Sequence, residues 1–215
     1  MTILAALVLL VGVGSGSWLY LHRATGHGPV ALRPTPSATT APSAAPSAAP
    51  SAAPAATPSP AAAAVPPDGV HPARLVIPKL TVDAKVENKG IDKHNQMEVP
   101  DDPNDVAWYT FTSLPGGGSN AVFAGHLDWT TGPAVFQKLK DLQPGDAVQV
   151  KDPNGATVTY KVTESHDYSA DTAPVAQIIG KTPKDTVTLI TCSGSFSRSR
   201  QAYTNRLIVK GERVS

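Results

Sequence analysis

The sequence predicts an all-β domain, closed or sandwich-like, and three observations carry that prediction. Short β-branched runs recur along the chain from Val70 onward. Pro- and Gly-rich turns separate them, and helical patterning is confined to two brief stretches. Arg74–Leu80 and Val82–Val86 alternate roughly at period two, with Pro78 marking an edge or a kink. Asn120–His126 (NAVFAGH) is a short apolar run that ends in Gly-His. Ala147–Val150 and Thr157–Thr163 flank Asp152-Pro153-Asn154-Gly155, which is strong hairpin chemistry. Thr186–Cys192 (TVTLITC) has the β-branched content of a central strand, and Arg206–Val209 is the last strand candidate. The helical stretches are Pro133–Leu139 and Pro174–Ile179.

The β domain is one part of a chain of 215 residues containing 21 prolines. Ten of these prolines lie between Pro34 and Pro67, where every residue except Val65 is Pro, Ala, Ser or Thr. Such a repeat has no apolar face to bury, so residues 22–69 are expected to form a disordered linker biased toward polyproline II. Before it, Met1–Leu21 carries no charged side chain. That length spans a bilayer as a helix, and Trp18 and Tyr20 suit its interfacial belt. Residues 1–21 are therefore expected to be a transmembrane anchor rather than a cleaved signal, whose apolar core is shorter. Arg23 alone, by the positive-inside rule, would place the domain in the cytoplasm. The Pro/Ala/Ser stalk argues for the outer side, so residues 70–215 are expected to be an extracytoplasmic domain on a single-pass membrane anchor.

Charge excludes some functions. The chain has 18 basic and 17 acidic residues, and only Arg23, Arg33 and Asp68 precede Val70, so the domain is formally neutral. Nucleic acid is not an expected partner. The carboxylates are scattered, and no metal or cofactor is expected.

Cys192 is the only cysteine, so no disulfide forms within the chain. A lone thiol outside the membrane is an oxidation liability, and its retention points to use. It sits where the TVTLIT strand gives way to Ser193-Gly194-Ser195, read as a flexible run. A cysteine nucleophile needs a proton carrier, usually His. The candidates are His71, His94, His126 and His166. His71 and His94 lie in polar turns, and His166 ends a hairpin strand. His126 closes an apolar strand after a glycine.

The segments NAVFAGHLDWTTGPAVFQKLKDLQPGD, VTLITCSGSF and YTNRLIVKGE together resemble the sortases, membrane-anchored cysteine transpeptidases of Gram-positive bacteria. The shared signature is Gly125-His126, the strand Thr188-Leu189-Ile190-Thr191-Cys192, and an arginine on the next strand, here Arg206. The Gly-His-x-Asp form, the Gly-Pro-Ala-Val-Phe segment, Val99–Pro103 (VPDDP) and Trp108-Tyr109 are most similar to the actinobacterial class F branch. The resemblance spans about Arg74 to Arg213. It implies a closed eight-stranded β-barrel with a few short helices.

It also implies a catalytic set of His126, Cys192 and Arg206. The thiol would attack a sorting signal of the Leu-Pro-x-Thr-Gly type carried by a secreted protein, forming a thioester. An amine of peptidoglycan, or a pilin lysine, would then take the acyl group. Class F relatives carry the arginine at the position of Thr204. Period-two alternation keeps 204 and 206 on one strand face, and Arg198 and Arg200 in the preceding loop are the alternatives. Asp128 could orient the site or be a solvated loop carboxylate. Two other functions stay open: a hydrolytic cysteine peptidase on the same scaffold, and a non-catalytic β-barrel binding module with an inert Cys192.

Overall fold

The computed structural model describes residues 64–214. The anchor and most of the linker expected from the sequence lie outside these residues. Ten strands and one short helix follow in order: β1 Arg74–Ile77, β2 Val82–Lys89, β3 Val106–Tyr109, β4 Asn120–Gly125, β5 Asp128–Trp129, β6 Gly132–Pro133, β7 Ala147–Lys151, β8 Thr157–Ser169, α1 Val175–Ile179, β9 Thr186–Ser197 and β10 Ala202–Arg213. Eight of the strands close into a barrel in the order β1-β2-β3-β4-β9-β10-β8-β7, and β5 and β6 form a separate two-stranded hairpin. Closure comes from β1, which pairs with β2 on one side and β7 on the other, so Leu75 faces both Ala84 and Val150. The closed barrel agrees with the expectation of an all-β fold and removes exposed sheet edges.

Local chemistry explains the joints. Pro78 lacks an N–H and ends β1 in a single 3₁₀ turn, Pro78–Leu80, after which Thr81 adopts a left-handed conformation. In the β7–β8 hairpin the Asp152 carboxylate accepts the backbone N–H groups of Asn154 (2.9 Å) and Ala156 (2.7 Å). Gly155 there sits at φ +89°, which glycine tolerates best.

Strand β4 and the Thr186–Cys192 part of β9 are buried on both faces, which is why their sequences do not alternate between apolar and charged residues. Ala121 and Phe123, with Val187 and Leu189, join the barrel interior. Val122, Ala124 and Ile190 turn outward with Ile208 and pack beneath Ile178 of α1. The β4–β9 pairing is parallel, and parallel strands covered on both sides carry this kind of sequence. Asn120 fastens the cover: its Nδ2 donates to the carbonyls of Ile178 and Gly180, both at 3.0 Å, while Thr188 donates to its Oδ1 at 2.8 Å.

The structure corrects two expectations. Pro133–Leu139 is not a helix. It begins in β6 and continues as turns, and the only helical geometry nearby is a 3₁₀ turn at Leu139–Asp141. Long-range bonds capture its backbone instead: Val135 N–H donates to Pro103 O and Phe136 N–H to His126 O, each at 2.9 Å. Ser193-Gly194-Ser195 is likewise not a loose run but part of β9, which continues to Ser197. The pairing register with β10 shifts between Tyr203 and Asn205, opposite this glycine. Gly194 has φ +77°, and a Cβ there would lie 2.5 Å from Thr204 Oγ1. Only glycine fits this bulge.

Candidate active site

The sheet brings the three sequence-selected residues into one row. In the β9–β10 ladder Cys192 faces Arg206 directly. In the β4–β9 ladder the register runs from Asn120 opposite Thr186 to Ala124 opposite Ile190. Continued by two residues, it sets His126 level with Cys192. A hydrogen bond from Thr191 Oγ1 to Gly125 O (2.8 Å) locks the strands together at this point. The Thr before the cysteine and the Gly before the histidine thus hold each other. The row crosses three neighbouring strands, with the thiol in the middle.

Each member has a distinct environment. Cys192 is 7% exposed. Burial pushes its thiol up from the ordinary value; the Arg206 charge opposes this, and the Asp128 carboxylate adds to it. Arg206 is only 1% exposed. Its Nη1 donates to the carbonyls of Tyr203 (3.0 Å) and Asn205 (2.8 Å), and its buried Nε–H has no partner. No carboxylate within ion-pairing distance neutralises it among the described residues.

His126 is buried, with Nε2 3.0 Å from Pro100 O. A carbonyl only accepts, so Nε2 carries the hydrogen and Nδ1 is left to exchange protons. The edge of Trp129 meets the imidazole at a centroid distance of 4.8 Å.

Cys192 opens onto a cleft of about 530 Å³ walled by Leu127, Asp128, Trp129, Pro133, Phe136 and Leu207, with Ser193 and Gly194 beside the thiol. His126 and Arg206 are buried on either side of the thiol and are not among the residues that line the cleft. Its lining is mixed, with Asp128, Gln137, Lys140 and Ser193 set among the apolar side chains. Such a site can hold an extended peptide segment and keep water from a thioester.

The other candidates fall elsewhere. His166 sits within β8, half exposed and 3.2 Å from Glu164, and His71 and His94 are exposed. Arg198 and Arg200 occupy the tip of the β9–β10 hairpin, where Arg200 grips both oxygens of Asp171 at 3.0 and 2.8 Å. Asp128 is an exposed carboxylate, as one of the two readings had it, but it lies in β5 and accepts a hydrogen bond from Tyr203 Oη. Pro100, Trp129 and Tyr203 support the row, yet the sequence reading gave none of them a role. The one signal available was that Pro100 belongs to the VPDDP segment and Trp129 follows the Gly-His-x-Asp run.

A closed barrel with a buried thiol set in a row with an imidazole and a guanidinium across three strands has the parts of a cysteine acyl-transfer site. The chain belongs to the sortases, a family of cysteine transpeptidases: the sortase domain model matches residues 75–214. Among solved structures it is similar to sortase C-1 of Actinomyces oris, at 30% identity over 66% of this chain and 73% of that one, with a TM-score of 0.51. It shares the fold of a lid mutant of sortase A from Corynebacterium diphtheriae, at 22% identity over 67% and 70% of the two chains and a TM-score of 0.53. It also shares the fold of the sortase D5 transpeptidase of Clostridium perfringens, at 22% identity over 67% and 79%, with a TM-score of 0.50. No curated protein sequence matches the chain.

Proposed function

We propose that the chain is a membrane-anchored, class F-like sortase in which Cys192, His126 and Arg206 transfer a secreted protein from its sorting signal to a cell-wall amine. The observation that carries this reading is the row across β4, β9 and β10, which sets a thiol between an imidazole and an unneutralised guanidinium. The Gly-His-x-Asp and VPDDP segments favour class F, and the uncharged Met1–Leu21 span followed by the stalk favours an extracytoplasmic domain.

The chemistry balances as two acyl transfers. The Cys192 proton passes to His126 Nδ1 and the thiolate adds to the Thr carbonyl of a Leu-Pro-x-Thr-Gly segment. Arg206, with an Nε–H that has no other partner, stabilises the oxyanion. The Thr–Gly bond then breaks, and the leaving amine takes its proton from Nδ1. An incoming amine adds to the thioester, gives its proton to Nδ1, and expels the sulfur, which recovers a proton.

The test is to incubate the purified protein with a Leu-Pro-x-Thr-Gly peptide, with and without triglycine, and weigh the products. Transpeptidation yields the amide product and a thioester adduct on Cys192, both absent in Cys192→Ala. Product formed only by water, whatever the amine, would mean a hydrolytic peptidase. No turnover and no adduct would mean a binding module. Protease added to intact protoplasts should digest the domain; protection would place it inside.

A further inference from the structure

One exposed polar contact ties a cleft-lining residue to β10. Asp128, in β5, accepts a hydrogen bond from Tyr203 Oη, in β10. Each end of that contact leads to a member of the row. Asp128 lies two residues after His126, and its neighbour Trp129 packs against the imidazole at 4.8 Å. Tyr203 lies three residues before Arg206, and its carbonyl holds the guanidinium at 3.0 Å. The Tyr203 ring is braced in turn by the edge of Phe196, at 5.3 Å.

The route to this contact is built into the backbone. The bulge at Gly194 breaks the β9–β10 register beside Tyr203, and bulges re-aim side chains next to functional sites. Asp128 and Cys192 share one cleft wall. The tyrosine remains a donor at physiological pH, because burial and the Asp128 charge push its phenol up to about 12.

We propose that Asp128 and Tyr203 are positioning residues: their hydrogen bond is a strut that ties the β5 segment after His126 to the β10 segment before Arg206 and fixes both residues relative to Cys192. The inference rests on the transpeptidase reading above. Without the strut the β5–β6 hairpin is joined to β10 by no other side-chain hydrogen bond among the described residues. Trp129 then loses its fixed place on His126, and the geometry around the thiol loosens.

The experiment measures peptide transfer to triglycine for Tyr203→Phe, Asp128→Ala, Asp128→Asn and the Tyr203→Phe/Asp128→Ala double variant, with each variant's fold checked by thermal unfolding. Tyr203→Phe and Asp128→Ala should each lower kcat by about tenfold with little change in KM, the scale of one lost charge-assisted hydrogen bond. The double variant should be no worse than either single, because both remove the same bond. Asp128→Asn, which keeps an acceptor oxygen, should recover most of the rate. Single variants within twofold of the parent, losses that multiply in the double, or Asp128→Asn as poor as Asp128→Ala would overturn the strut.

Alkylation of Cys192 by iodoacetamide separates this from a failure of the functional reading. Tyr203→Phe, which removes no charge, should raise the rate several-fold even if the parent protein transfers no peptide. An unchanged rate overturns the proposal.

Discussion

Strand β10 carries Arg206 near its middle and Arg213 at its last position, and the two are treated in opposite ways. Arg213 donates to the Asp185 carboxylate (3.2 Å) and to Gly116 O (3.1 Å). The same aspartate accepts the buried Tyr160 hydroxyl at 2.9 Å, and that hydroxyl accepts Gly116 N–H at 2.9 Å. The ring closes on itself, with donors and acceptors matched across β8, β10 and the loops beside them. Arg206, in the middle of the strand, is buried deeper yet meets only two carbonyls, with no carboxylate and a spare Nε–H. A buried donor left unpaired costs about 1–3 kcal/mol. Arg213 is finished as structure; Arg206 keeps an unpaired donor.

The comparison breaks most sharply at the thiol end. Cys192→Ala should abolish acyl-enzyme formation, and His126→Ala should lower kcat/KM by about 10²–10⁴-fold, as for a lost general acid–base. Thioester detected by mass spectrometry in Cys192→Ala would remove the nucleophile from the mechanism.

Arg206→Met should reduce kcat by about 10²–10³-fold, the scale of a lost oxyanion donor. Its Tm should hold or rise, because the substitution deletes a buried unpaired donor. A large fall in Tm with kcat retained would make Arg206 structural. Arg206→Lys should also fail, because an ammonium lacks the planar fork. Arg213→Met is the converse: stability should fall by about 1–2 kcal/mol in urea unfolding, with kcat/KM unchanged.

The pH dependence of Cys192 alkylation sharpens the electrostatic side. The rate follows the thiolate, and burial holds the thiol above its ordinary value, so the rate should climb with rising pH through a midpoint above that of an exposed cysteine. Arg206→Met removes a charge that favours thiolate, so the midpoint should move further up. Asp128→Asn removes a charge that disfavours it, so the midpoint should move down. Identical profiles would mean that neither charge is felt at the sulfur. The smallest effects belong to the hairpin tip: Arg198→Ala and Arg200→Ala should stay within about twofold in kcat/KM.

Most of the barrel was legible from short-range pattern, and the exceptions share a cause. β3 (VAWY) went unrecognised as a strand because it is four residues long and buried on both faces, so it neither alternates nor lasts. The outer arms of β9 and β10 read as loop because they hold Ser, Gly and Asn. They pair through the backbone, which side-chain pattern does not report. Pro133–Leu139 had helical composition, but its N–H groups are taken by Pro103 and His126. The site was legible only in its chemically loud residues, Cys192, His126 and Arg206. Pro100 and Tyr203 act through a carbonyl and a bulge-directed hydroxyl, and neither has a motif of its own.

The parallel pairing of β4 with β9 also bears on when the site comes into being. The residues joined at the Thr191–Gly125 bond are 66 positions apart. The loop between them holds two full barrel strands, β7 and β8, and closing so long a loop is a slow, late event in folding. Until it closes, the thiol has no imidazole level with it, and no nascent or half-folded chain carries an assembled row. Assembly of the row is thereby tied to completion of the barrel. A refolding experiment that samples alkylation of Cys192 over time should find the native rate appearing in step with the slowest folding phase.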